Sequence, residues 1–183
     1  MPSPLTHSFI GYLIYRVLQV QLPGEYDKRI LLVPQLLVIT VGLSILPDLD
    51  AIPGILMDDI GRFHNQWMNS FVVSVMVALC VGFAVWMWRG TGFKRWFTIT
   101  LFCYTTHILA DFFTWGRGIM LIWPFSSHRY KPPVNLFYGL HWSEGFISIM
   151  HLWTLLTEVG FVAVVSLIAH YCLKMRIRPA EQS

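Results

Sequence analysis

The sequence predicts an all-α polytopic membrane helix bundle, a single domain of about five transmembrane helices with a His/Asp cluster at the outer face. Three observations predict it. Apolar residues make up 55% of the chain and charged residues 13%, about half the charged share of a soluble protein, which makes lipid rather than water the main solvent. Apolar runs near the roughly 20 residues that cross a bilayer recur along the chain. Imidazoles and carboxylates gather at one end of successive runs. The 183 residues suffice for one domain (1–183), and nothing marks a second.

The first run, Leu5 to Leu22, follows Pro4 and holds Thr6, His7 and Ser8 at its start and Arg16 near its end. It is short for a span, so a tilted or half-inserted helix also fits. After the polar turn Pro23 to Arg29, Ile30 to Leu46 is apolar except for Gln35, with Pro34 as a kink candidate, and stops at Pro47-Asp48-Leu49-Asp50. Ala51 to Met68, with Pro53, Asp58, Asp59, Arg62 and His64, is too broken and charged for lipid. Ser70 to Trp88 is the third span, ending in aromatics that suit a membrane interface. A basic turn (Arg89, Lys94, Arg95) precedes the fourth, Trp96 to Thr114. The long segment Trp115 to Gly145 holds Trp123-Pro124-Phe125-Ser126, His128, His141 and Glu144, too many aromatics for disorder and a length that usually serves function. The last span, about Phe146 to Leu173, carries His151, Glu158 and His170 and closes with Lys174, Arg176 and Arg178.

A net charge of +3 is too small to argue for nucleic acid. Cys80, Cys103 and Cys172 lie in apolar runs without CxxC spacing, as buried free thiols would. Met1 to Pro4 lacks the basic start of a cleavable signal peptide. Threading five spans puts Lys28, Arg29, Arg89, Lys94, Arg95, Lys174, Arg176 and Arg178 on one side, which the positive-inside rule makes cytoplasmic. The N-terminus is then outside and the C-terminus inside. The outer side collects His7, Asp48, Asp50, Asp58, Asp59, His64, His107, Asp111, His128, His141, Glu144 and His151, leaving His170 inside. If the first run lay in the interface instead, only the placement of His7 would change.

The chemistry centres on His107 and Asp111. Four apart on a helix, they point from one face at a single object; a shared cation is the simplest, and a hydrogen-bonded pair at the mouth of the bundle is the alternative. Ionisable groups inside spans are costly and usually serve a site. Imidazole and carboxylate without paired thiolates suit zinc, with manganese or iron as other options. Such an ion lowers the pKa of a bound water and polarises a phosphoryl or carbonyl group. No GxSxG, Walker A, HExxH or dinucleotide fingerprint points to rival chemistry. Lipid phosphatases that work through a phosphohistidine share the His/Asp spacing, but need a serine-arginine pair six residues earlier, where this chain has Thr100 and Leu101.

Taken in order, Thr6-His7 with Gly11, Pro47-Asp48-Leu49-Asp50, the segment His64 to Phe71, His107-x-x-x-Asp111 and Trp123-Pro124-Phe125-Ser126 resemble the YdjM family of inner-membrane metal-dependent hydrolases. The resemblance covers roughly residues 5 to 128 and implies a distant relation to the all-helical zinc-dependent phospholipase C and single-strand nuclease group. It makes His7, Asp48, Asp50, His64, His107 and Asp111 ligand candidates. Where the family reads His-Arg-Gly-x-Thr-His-Ser, this chain places Asn69 at the second His. Asn ligates only through a neutral oxygen, so His141, Glu144, His151 and Glu158 are further candidates; His151 and Glu158, seven apart, share a helical face. Glu158 bonding a neighbouring helix is the alternative.

Among the basic groups on the outer side, Arg117 and Arg129 are candidates for meeting an anionic substrate group. Together these readings give a membrane-embedded metal-dependent hydrolase of a phosphoester, a lipid among the options, with Asp111 and Asp50 as the catalytic carboxylates and Asp50 accepting the proton. The competing reading is a non-catalytic membrane protein whose metal or polar His/Asp cluster serves partner binding.

Overall fold

The computed structural model describes residues 1–21, 33–57, 64–140 and 148–177, and among them every regular element is helical. The order is α1 (Pro4–Gln21), α2 (Val33–Ile45), a 3-10 turn (Leu46–Asp50), α3 (Ala51–Leu56), a second 3-10 turn (Trp67–Asn69), α4 (Phe71–Arg89), α5 (Phe93–Phe112) and α6 (Met150–Ile177). Pro34 falls in the first turn of α2, where its missing N–H has no intrahelical partner to lose, so it starts the helix rather than kinking it. Pro47 sits at the start of the 3-10 turn that tightens the end of α2. Ser70 caps α4: its Oγ accepts from the Val72 N–H at 3.1 Å and donates to the Trp123 carbonyl at 2.6 Å. Gly90 closes α4 in the left-handed region (φ 71°), its N–H bonded to the Trp86 carbonyl. With Gly92 also at positive φ, the reversal is tight, and α5 starts at Phe93 rather than Trp96.

Helix α5 is central. It packs against α4, α2 and α1, and Cys103, Tyr104, His107 and Ile108 on it are fully buried. Helix α6 meets the rest near its start, where the buried Glu158 accepts from both the backbone N–H and the hydroxyl of Ser3, just ahead of α1. Residues 113–140 form an ordered cap without a strand. Ile119 and Tyr130 exchange backbone hydrogen bonds, Phe113 and Phe137 carbonyls accept from Leu136 and Trp115, and Ile119 and Phe137 are buried.

Three helical stretches, Pro34–Leu56, Phe71–Arg89 and Met150–Cys172, are long and apolar enough to cross a membrane, among the described residues. Helices α1 and α5, with 18 and 20 residues, have the length, about 1.5 Å per residue, but a more polar composition. Of the three free thiols only Cys103 is buried; Cys80 and Cys172 lie on exposed faces of α4 and α6, which corrects the expectation that all are buried. Asp58, Asp59, Arg62, His141, Glu144, the turn Pro23 to Arg29 and Arg178 lie outside the described residues.

Gly11 is where α1 and α2 touch backbone to backbone. A Cβ there would sit 2.7 Å from Val41 Cα and 2.9 Å from the Thr40 carbonyl oxygen. Gly11 also lies one turn beyond His7 on the same face. Gly11→Val is expected to cost about 1–3 kcal/mol through overpacking, read as a lowered Tm of the detergent-purified protein; an unchanged Tm would mean that α1 does not pack there.

Candidate metal centre

Because successive helices run in alternating directions, residues at the start of α1, after α2, before α4 and at the end of α5 meet at one end of the bundle. His7, Asp48, His107 and Asp111 form a closed ring there. His7 Nε2 lies 3.5 Å from Asp111 Oδ1 and 4.0 Å from Asp48 Oδ2. His107 Nε2 lies 3.5 Å from Asp111 Oδ2 and 3.6 Å from Asp48 Oδ1. His64 approaches from another side, with Nε2 3.9 Å from Asp48 Oδ1. These separations exceed hydrogen-bond lengths. They approach the edge, about 3.4 Å, that donors at roughly 2.0–2.1 Å from one tetrahedral ion subtend.

Four donor residues are buried, His7 and His107 fully and His64 and Asp111 at 3% exposed, while Asp48 is half-buried with both carboxylate oxygens shielded. Among the described residues, His7 Nε2, His64 Nε2, His107 Nε2, Asp111 Oδ1 and both Asp48 oxygens have no hydrogen-bond partner. Each such orphan costs on the order of 1–3 kcal/mol. A bound cation would satisfy the donors that it meets. Two groups, His7/Asp48/His107 and Asp48/His64/Asp111, bring their donor atoms within 4.8 Å of one another and could hold a metal ion.

The far nitrogens of two rings explain why the near ones face inward. His107 Nδ1 lies 2.7 Å from the Ser44 carbonyl oxygen, an acceptor only, so Nδ1 carries the proton and Nε2 offers a lone pair. His64 Nδ1 lies 2.7 Å from Asp50 Oδ1. Such outer partners fix ring orientation at metal sites. The His7 and His107 rings stack, centroids 3.8 Å apart.

Asp50 therefore belongs to neither donor group; its bonded oxygen meets the outward nitrogen of His64. Asn69 offers no ligand nitrogen in place of the family's second His. Its amide donates to Asp111 Oδ2 and to Asn65 Oδ1, both at 2.6 Å, which steers Asp111. Asn65 adopts a left-handed conformation (φ 58°), which Asn tolerates better than most residues. Arg117 donates to the His64 carbonyl, and Arg129 to the Asn65 and Gly118 carbonyls at 2.9 Å each. Burial and the nearby Arg117 push the Arg129 guanidinium below its ordinary range. Both arginines thus brace the segment that carries His64. His128 is exposed, its ring edge-on to Tyr130. His128, His151 and Glu158 are in neither donor group, and Glu158 serves Ser3 instead. Ser44 and Asn65 were not singled out by the sequence: a backbone carbonyl has no residue signature, and an Asn beside a His reads as loop.

These features define a helical membrane protein with a buried imidazole and carboxylate cluster able to hold a metal. Residues 1–180 match the profile of the YdjM inner membrane protein family. The chain belongs to that family, as its ordered motifs led us to expect. No curated protein and no solved structure matches it.

Proposed function

We propose that the protein is a membrane-embedded metal-dependent hydrolase acting on a phosphoester, with zinc as the first candidate ion and manganese or iron next. The observation that carries this reading is the convergence of buried, unpartnered donor atoms from His7, Asp48, His64, His107 and Asp111. An ion held there would lower the pKa of a coordinated water toward neutrality and polarise the ester under attack. Asp50 and the Ser44 carbonyl keep two imidazoles aimed inward, Asn69 keeps Asp111 in place, and Asp50 acts through His64. We read the bundle as five spans with the cluster at the outer face and the N-terminus outside. The support is that α1 and α5 are long enough to cross, and that Arg89, Lys94 and Arg95 sit at the α4–α5 reversal, opposite the cluster.

The test is hydrolysis of bis(4-nitrophenyl) phosphate and 4-nitrophenyl phosphate by detergent-purified protein supplied with zinc, manganese or iron. Asp111→Asn is expected to lower turnover at least about 100-fold while the protein stays folded. The depth of burial of the donors favours a second reading, a structural metal or polar cluster in a protein that binds a partner. That reading expects no turnover from the wild type with any ion, and a lowered Tm in Asp111→Asn.

A further inference from the structure

The end of the bundle that carries the cluster also carries an apolar apron. Helix α3 begins directly after Asp50 and exposes Ile55 and Leu56, the latter at 80%. Trp67 is exposed as well, its ring 6.1 Å from that of Trp123, and Phe125, two residues on, is 83% exposed. Trp67 and Phe125 sit outside the long helices. His64 lies between α3 and Trp67 in the chain, and the carbonyls of His64 and Asn65 hold Arg117 and Arg129. Two arginines and the metal-donor cluster therefore meet at the His64–Asn65 segment, with exposed apolar side chains before and after it in the chain.

A small soluble phosphoester would use the charges and leave the apron uncovered. A molecule with a phosphate at one end and hydrocarbon at the other would use both. Arginine forks match phosphate oxygens, and each buried CH₂ contributes about 0.8 kcal/mol. We propose that the site takes a phosphate-bearing lipid from the bilayer, its head group beside Arg117 and Arg129 and its chains along α3, Trp67 and Phe125. This rests on the hydrolase reading for what happens to the lipid, but binding can be measured without turnover.

The experiment is equilibrium binding of fluorescent phosphatidic acid to the detergent-purified protein, beside the matching diacylglycerol and with glycerol phosphate as competitor. Phosphatidic acid is expected to bind at least tenfold tighter than diacylglycerol and to resist displacement by glycerol phosphate. Trp67→Ala combined with Phe125→Ala, both exposed and outside the long helices, is expected to weaken it about tenfold at an unchanged Tm. Equal binding of the two lipids, ready displacement by glycerol phosphate, or full affinity in the double variant would overturn the proposal. Bis(4-nitrophenyl) phosphate turnover is followed in parallel. Turnover without lipid preference sinks the lipid proposal alone; lipid preference without turnover sinks the hydrolase reading alone.

Discussion

Asp48→Asn is expected to strip the protein of its metal, with affinity falling by more than the roughly 10–100-fold typical of losing a partner of a ligand. Asp48 belongs to both donor groups, and its two oxygens face different imidazoles, Oδ2 toward His7 and Oδ1 toward His64 and His107. An amide keeps the shape but has no charge, and it turns N–H donors toward ring nitrogens or the ion. His64→Ala, by contrast, leaves His7, Asp48, His107 and Asp111 in place, so it weakens binding without abolishing it. Titration of metal-depleted protein against a chromogenic chelator reads both. Equal losses in the two variants, or wild-type affinity in Asp48→Asn, would contradict this ordering.

Asp50→Ala is expected to weaken metal binding about 10–100-fold, although Asp50 touches no ion in this arrangement. Its 2.7 Å contact to His64 Nδ1 fixes which ring nitrogen carries the proton and which faces Asp48. Asp50→Asn keeps an acceptor oxygen and should recover part of the loss. That partial rescue separates positioning from a general loss of folding. If Asn and Ala behave alike, the ring is held by something other than this bond.

The helical class and the end at which the cluster forms were legible because both follow from spacing. His107 and Asp111 lie one turn apart, and antiparallel helices return Asp48 and His7 to the same level. The division of labour between Asp48 and Asp50 was not legible. Two residues apart in a Pro-Asp-Leu-Asp turn, they are equivalent on paper, whereas at three residues per 3-10 turn their side chains diverge and reach different ring nitrogens of His64. Asn69 read as a missing ligand, yet a neutral amide donor suits a carboxylate that must hold its orientation. Arg117 and Arg129 read as substrate groups; that they also donate to the His64 and Asn65 carbonyls is a contact that spacing in sequence could not reveal across more than fifty residues. The number of spans stayed open because α1 and α5 turn polar groups toward one another inside the bundle and so lose the uniform apolarity of a lone transmembrane helix.

The converging imidazoles and carboxylates are expected to hold a metal ion. Elemental mass spectrometry on detergent-purified wild type, beside His107→Ala and Asp111→Asn, tests it most directly. Near-stoichiometric zinc, manganese or iron in the wild type, lost from both variants, is the expected result. No metal in a folded wild type even after supplementation with all three would contradict it, and a polar cap on a helix bundle would take its place.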